Sequence, residues 1–207
     1  MTRGSRLVLA SASPARLSTL RQAGLRPEVI VSGVDESGLS HLAPADVARR
    51  LATLKGEAVA ARLADPQASD DVTLVIGCDS VLGLDGRAFG KPGTPEVARE
   101  RWRSMRGRSG VLHTGHHVIV RRGRLDGSRT EVASTVVHFA ELTDQEIEAY
   151  VATGEPLAVA GAFTVDGLGG AFVSGIEGDH HNVVGISLPL VRDLLAELGH
   201  SWTGLWK

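Results

Sequence analysis

The chain has 207 residues, 43% hydrophobic and 22% charged, with a net charge of −2. That balance fits one globular domain or two intimate lobes with a real core, and it leaves no basic field for duplex nucleic acid. Apolar runs are far too short for a membrane span, the N-terminus carries no signal-peptide pattern, and the single cysteine, Cys78, excludes an internal disulfide. A cytoplasmic protein without membrane contact is the expectation.

Residues 7–10 read as an apolar strand that hands over to a helix through Ser11, Ala12, Ser13 and Pro14. Ser13 suits the N-cap and Pro14 the first helical position, where a missing N–H costs nothing. Leu17, Leu20 and Ala23 share a face, and Gly24 ends the helix. Ser11 and Arg16 are surplus to that account. Two hydroxyls and a guanidinium beside a helix N-terminus suit an anion, phosphate above all. A well-capped surface helix with a solvated arginine is the plainer alternative.

Residues 28–37 predict a strand ending in an acidic loop. Residues 44–64 predict a helix with Val47, Leu51, Leu54 and Ala58 on its apolar face and Lys55 on the border of that face. A polar loop over 65–71 leads into 72–86, which predict a buried strand, a break, and a hairpin turn at Asp85-Gly86. The next helix starts at Thr94-Pro95 and stops at Gly107, with Val97, Ala98, Trp102 and Met105 facing the core. Residues 111–142 read as a two-stranded ribbon turning near Asp126-Gly127. Thr143 with Glu146 makes a capping box for a helix that closes at Gly154. A glycine-rich stretch, 161–185, precedes a last helix from about Leu188 to Leu198. Alternating strands and helices with a long ribbon give an α/β protein with a mixed sheet, and nothing in the sequence divides 1–207 into more than one domain.

Asp79 is the most telling candidate, because it ends the apolar run VTLVIGC. A buried carboxylate is costly unless paired, and strand ends are where α/β folds place their chemistry; capping the following turn is its bland role. The segment GRAFGKPG, 86–93, misses the P-loop spacing and puts Pro92 where a hydroxyl should stand, so a Walker-type NTPase is disfavoured. Lys91 there reads either as a point charge for phosphate or as a solvated turn lysine. Cys78, next to Asp79, points to the other face of a strand and reads as an inert core thiol. His113, His116, His117, His180 and His181 lack the partners and order of a zinc site. The GLGG run lacks a dinucleotide-binding order.

Seven segments taken together resemble the Maf family: LASASPAR, VDES, LATLKGEAVA, VIGCDSVLGLDGRAFGKP, MRGRSGVLHTG, EPLAVAGAF and GDHHNVVGISLPL, in order from residue 7 to about 199. The resemblance implies an α/β fold like that of inosine triphosphate pyrophosphatases, with a mixed, elongated sheet, flanking helices and two lobes around a deep cleft. It implies metal-dependent hydrolysis of a nucleoside triphosphate, often a modified or non-preferred one, to monophosphate and pyrophosphate. It also implies a divalent cation (Mg²⁺ or Mn²⁺), a homodimer, and a house-cleaning role tied to septum formation and division arrest.

Matched residue by residue, the resemblance assigns Ser11, Ser13 and Arg16 to the triphosphate and Lys55 and Lys91 to its charge. Asp79 becomes the proton acceptor, with Glu36 and Asp79 as metal ligands. The base-selecting positions fall on Ala15, Ser80 and Asp166 and match neither the pyrimidine branch nor the 7-methyl-GTP branch of the family. Asp166 precedes Gly167 and reads equally as a hairpin turn. Two readings from other classes remain: a nucleotide-binding division regulator with little turnover, and a zinc hydrolase built on the histidines.

Overall fold

Long β-strands that pass from one end of the molecule to the other organise the chain. The computed structural model describes residues 5–39, 41–63, 72–122 and 125–206. Its strands are β1 (Arg6–Ala10), β2 (Glu28–Val29), β3 (Thr73–Leu84), β4 (Arg87–Phe89), β5 (Ser109–Arg122), β6 (Leu125–Phe139) and β7 (Val173–Glu177). Its helices are α1 (Pro14–Gln22), α2 (Pro44–Ala60), α3 (Pro95–Met105), α4 (Asp144–Ala152), α5 (His180–Val184) and α6 (Leu188–Glu197). The sheet runs β2-β1-β3-β5-β6-β7, with β4 also on β3. β1 is parallel to β2 and β3, and the remaining pairs are antiparallel, so the sheet is mixed as expected.

Side-chain alternation along β3 sorts the cores. Leu74, Ile76 and Cys78 pack with Leu20 of α1 and with Val191 and Leu194 of α6. Further along the same face, Leu82 and Leu84 pack with Trp102, Ile147 and Phe163. Between these two cores stands Ser80. The opposite face meets α2, through Val75 with Val59 and through Val81 with Val47, Ala48 and Leu51.

Helix α2 rests almost directly on the sheet because two glycines lie beneath it. A Cβ on Gly77 would stand 2.3 Å from the Ala52 carbonyl oxygen, and one on Gly115 would stand 2.1 Å from that of Ala48. Gly115 is the register partner of Asp79 in β5. The glycines therefore set the height at which α2 passes over Asp79.

Local signals hold at the expected places. Ser13 caps α1 through the Arg16 N–H, and Thr143 and Glu146 make the capping box of α4. Asp85 and Gly86, both at positive φ, turn β3 into β4.

Four expectations are corrected. The 72–84 run carries no break, because β5 pairs with it continuously from Thr73 to Gly83. The strand expected over 28–37 shrinks to Glu28–Val29, since its partner β1 ends at Ala10. Asp126 and Gly127 pair with Arg121 and Val120, so they lie within β6 rather than in a turn, and residues 123–124 lie outside the described residues. On α2 the buried positions are Val47, Ala48, Leu51, Ala52, Lys55, Gly56 and Val59. Lys55 thus stands in the middle of the buried face, while Leu54 and Ala58 are only half-buried.

Candidate active site

The site begins with a gap in the sheet. One edge of β3 is paired to β1 as far as Gly77 and to β4 from Leu82 onward, leaving residues 78–81 of that edge without a strand partner. A cleft of about 760 Å³ opens there, within the usual range for a small-molecule site. Ser11, Ser13, Arg16, Glu36, Lys55, Asp79, Ser80, Lys91 and Asp166 all line it. Every residue that the family resemblance assigns to the site lines this one cavity, whereas Cys78 and the candidate histidines do not.

On the α1 side the organising group is Arg16. Its buried guanidinium donates from Nε to Gly185 O (2.7 Å), from Nη1 to Ser11 Oγ (3.0 Å) and Cys78 O (3.0 Å), and from Nη2 to Ser80 Oγ (2.8 Å). The bond to Cys78 O fills part of the gap where a strand would have paired. Ser80 Oγ lies 2.9 Å from Thr114 Oγ1, which donates to Asn182 O (3.2 Å). Asn182 in turn donates to Leu112 O (3.2 Å) and Thr135 Oγ1 (3.0 Å). Four of the five guanidinium N–H groups are therefore committed, all to neutral oxygens. Among the described residues no carboxylate pairs with Arg16, so its charge is fixed in place and uncompensated at the cleft wall. That is the electrostatic requirement for holding an anion.

On the α2 side an ammonium joins two carboxylates. Lys55 Nζ lies 2.6 Å from Glu36 Oε1 and hydrogen-bonds Asp79 Oδ1. Lys55 and Asp79 are buried, whereas Glu36 reaches in from the exposed loop after β2. A buried carboxylate stands here because a cation meets it. The long aliphatic stem of Lys55 packs along the α2 face and delivers its head to the cleft.

Lys91 and Asp166 contribute from exposed positions. The backbone before Lys91 is fixed by Gly90 O, which accepts from Gly161 N (3.1 Å) and from Arg101 Nη1. Asp166 lies in a bend between Phe163 and the 3₁₀ turn Leu168–Phe172, so it is not the tip of a β-hairpin.

The other candidates have local partners. Burial pushes the Cys78 thiol up to about 12, and its side chain sits in the core opposite Asp79, which makes it a poor nucleophile. His113 and His117 share a strand face and bond to Ser134 Oγ (2.8 Å) and Thr130 Oγ1 (2.6 Å). His116 points the other way and accepts from Ser187 N (2.9 Å) through Nε2. Thr114, Asn182 and Gly185 were not foreseen as contributors. Their only sequence signal was membership of the MRGRSGVLHTG and GDHHNVVGISLPL segments, since support from a backbone carbonyl leaves no mark in residue type.

A family model described as "Maf-like protein" matches residues 6–198. The nucleoside triphosphate pyrophosphatase of Salinispora tropica is 60% identical over 203 residues, covering 97% of this chain and 87% of that protein. The proteins of the same name from Streptomyces avermitilis and Streptomyces coelicolor are 59% and 58% identical over 201 residues, covering 97% of this chain and 94% of each of them.

Proposed function

The chain belongs to the Maf-like protein family, and on that premise we propose that it is a nucleoside triphosphate pyrophosphatase, a hydrolase acting on an acid anhydride. Water attacks the α-phosphorus, the bond from that phosphorus to the α–β bridging oxygen breaks, and nucleoside monophosphate and pyrophosphate leave. The supporting observation is the convergence of Arg16, Lys55, Asp79 and Lys91 on one cleft, where a buried carboxylate stands among three cations.

In this reading Asp79 orients the attacking water and takes its proton. Arg16, locked by its neighbours, holds phosphate oxygens without reorganising, while Ser11 and Ser13 donate beside the α1 N-terminus. Lys91 balances the charge that gathers on the departing pyrophosphate. Lys55 offsets one of the two negative charges of Glu36 and Asp79 in the free enzyme, and a bound triphosphate offers its ammonium a third anionic partner. Chemistry of this kind is mostly positioning and electrostatics, so no serine–histidine pair is required.

Glu36 and Asp79 fit a divalent cation, since both oxygens already converge on one positive centre, the Lys55 ammonium. Among the described residues no third His, Cys, Asp or Glu joins them, so water and phosphate oxygens would complete a hard-cation shell. A bound Mg²⁺ or Mn²⁺ would supply Lewis-acid polarisation of the phosphoryl oxygens.

The same reading extends to modified or non-preferred nucleotides as substrates, to one domain over 1–207, and to a cytoplasmic homodimer linked to division arrest. No helix among the described residues is long and apolar enough to cross a membrane. The deciding experiment incubates purified protein with a nucleoside triphosphate panel and Mg²⁺ or Mn²⁺, then separates early products by anion-exchange chromatography. Monophosphate plus pyrophosphate is expected. A dominant diphosphate peak overturns the mechanism.

A further inference from the structure

The segment from Thr164 to Gly169 hangs on one carboxylate. Glu155 Oε1 accepts from Tyr150 Oη (2.9 Å), Thr164 Oγ1 (2.6 Å) and Gly169 N (3.0 Å), and Oε2 accepts from Leu168 N (3.0 Å). Among the described residues no cation pairs with Glu155. Partial burial works to raise its pKa, but the hydrogen bonds from Thr164, Leu168, Gly169 and Tyr150 outweigh it and hold the carboxyl below its ordinary range. The charged form is the one the loop is built around.

The loop's glycines make room for this arrangement. A Cβ on Gly167 would stand 2.6 Å from Glu155 Oε2, and one on Gly169 would stand 2.4 Å from Tyr150 Oη. Both ends of the segment are anchored in the aromatic core. Phe163 packs edge-on to Phe139 at 5.0 Å, and Phe172 packs edge-on to Trp102 at 5.9 Å and to Tyr150 at 5.3 Å. Between these anchors, Thr164 and Asp166 are presented to the cleft.

We propose that Glu155 is a positioning residue for nucleobase selection: it fixes the 164–169 turn, and so the place where Asp166 meets the base, without touching substrate. This rests on the pyrophosphatase reading above and on the base-selecting role that the family resemblance implies for Asp166, which lines the cleft. The site demands acceptors on both oxygens, which only a carboxylate supplies. A glutamine that keeps its oxygen at Oε1 turns its NH₂ toward the Leu168 N–H, donor against donor, and the turn must shift.

The test measures kcat and KM by pyrophosphate release from GTP, UTP and dTTP for the wild type, Glu155→Gln and Tyr150→Phe. In Glu155→Gln the ratio of kcat/KM between guanine and pyrimidine substrates should shrink by about fivefold or more, with the change in KM and kcat within about threefold. Tyr150→Phe removes one hydroxyl and keeps the backbone bonds, so the ratio should move the same way by less. A merely structural role would lower all substrates in parallel, and an unmoved ratio overturns the proposal. Should Glu155→Gln fail to fold, Tyr150→Phe decides alone, and a ratio within about 1.5-fold of wild type overturns it. A wild type that releases no pyrophosphate from any nucleotide instead overturns the parent reading.

Discussion

Asp79 and Ser80 are neighbours in β3 yet serve opposite faces of the sheet: Asp79 meets Lys55 on α2, and Ser80 accepts from Arg16 on α1. The unpaired stretch of β3 edge at 78–81 lets both open onto the same cleft. In the proposed reaction one face carries the proton acceptor and its counter-ion, and the other carries a rigid guanidinium for the anion. The variants below separate these parts.

Asp79→Asn should keep the fold and lose turnover, because an amide preserves shape but cannot take a proton from water. Loss of a general base costs on the order of 10²–10⁴ in rate. Retention of more than about a tenth of wild-type kcat would remove Asp79 from that role. Cys78→Ser should leave kcat within about threefold, since the thiol side chain faces the core. A loss matching that of Asp79→Asn would instead point to the thiol.

Gly77→Ala should destabilise the fold and disturb the site together. The added methyl meets the Ala52 carbonyl oxygen at 2.3 Å, and that oxygen belongs to the backbone of α2. Overpacking of this kind costs about 1–3 kcal/mol, readable from the urea midpoint. The helix must lift, and Lys55 lifts with it, so kcat/KM should fall even where the variant is fully folded. Full activity in a folded variant would show that the height of α2 does not set the site.

Asp166→Gln should alter base preference. A carboxylate only accepts hydrogen bonds and suits an edge that donates, such as guanine N1–H with its amino group, whereas a glutamine also donates to the carbonyls of uracil and thymine. A polar group left unmatched once the bound base covers it costs about 1–3 kcal/mol, so kcat/KM for guanine-type substrates relative to dTTP and UTP should drop by roughly tenfold. A ratio that stays within about threefold assigns base choice to other residues.

His116 should make stability pH-dependent. Burial, reinforced by Arg16, pushes its pKa from 6.5 down to about 3, so the ring is neutral in the folded state. Between these values the unfolded chain binds more protons, so stability falls as pH drops through the 6.5 of the free imidazole. The share from this residue at pH 5 is about 2 kcal/mol relative to pH 8. His116→Gln can still accept from the Ser187 N–H but does not titrate. Its unfolding free energy should decline less between those pH values by about that amount, and parallel pH profiles would refute the assignment.

Local chemistry was the legible part of the sequence. The Ser13 cap, the Thr143–Glu146 box and the Asp85-Gly86 turn each depend on residues a few positions apart. A carboxylate after the run VTLVIGC reads as a strand end, yet β5 pairs on to Gly83, and the close approach of α2 over Gly77 is a contact absent from local sequence. Lys55 follows Leu54 and so reads as a border residue of the apolar face, yet it stands in the middle of the buried face. Two carboxylates from distant segments meet it there. At Asp126-Gly127 turn chemistry gave way to ribbon register. Ser11, Arg16, Asp79 and Lys91 stand out from their own segments, whereas the roles of Glu36, Lys55, Ser80 and Asp166 come from the family resemblance. The carboxylate of Glu155 and the carbonyls of Gly185 and Cys78, which hold those residues in place, carry no such label.

The alternation at Cys78, Asp79 and Ser80 makes this site a matter of odd and even. A deletion or insertion of one residue between Gly77 and Leu82, accommodated by a slip in β3, would deliver a carboxylate to Arg16 and a hydroxyl or thiol to Lys55. The proposed centre would become a buried ion pair on one face and an ammonium left with Glu36 alone on the other, with every residue type still present. Substitutions can retune this cleft one face at a time. Its length along β3 is the quantity that cannot change without exchanging the two faces.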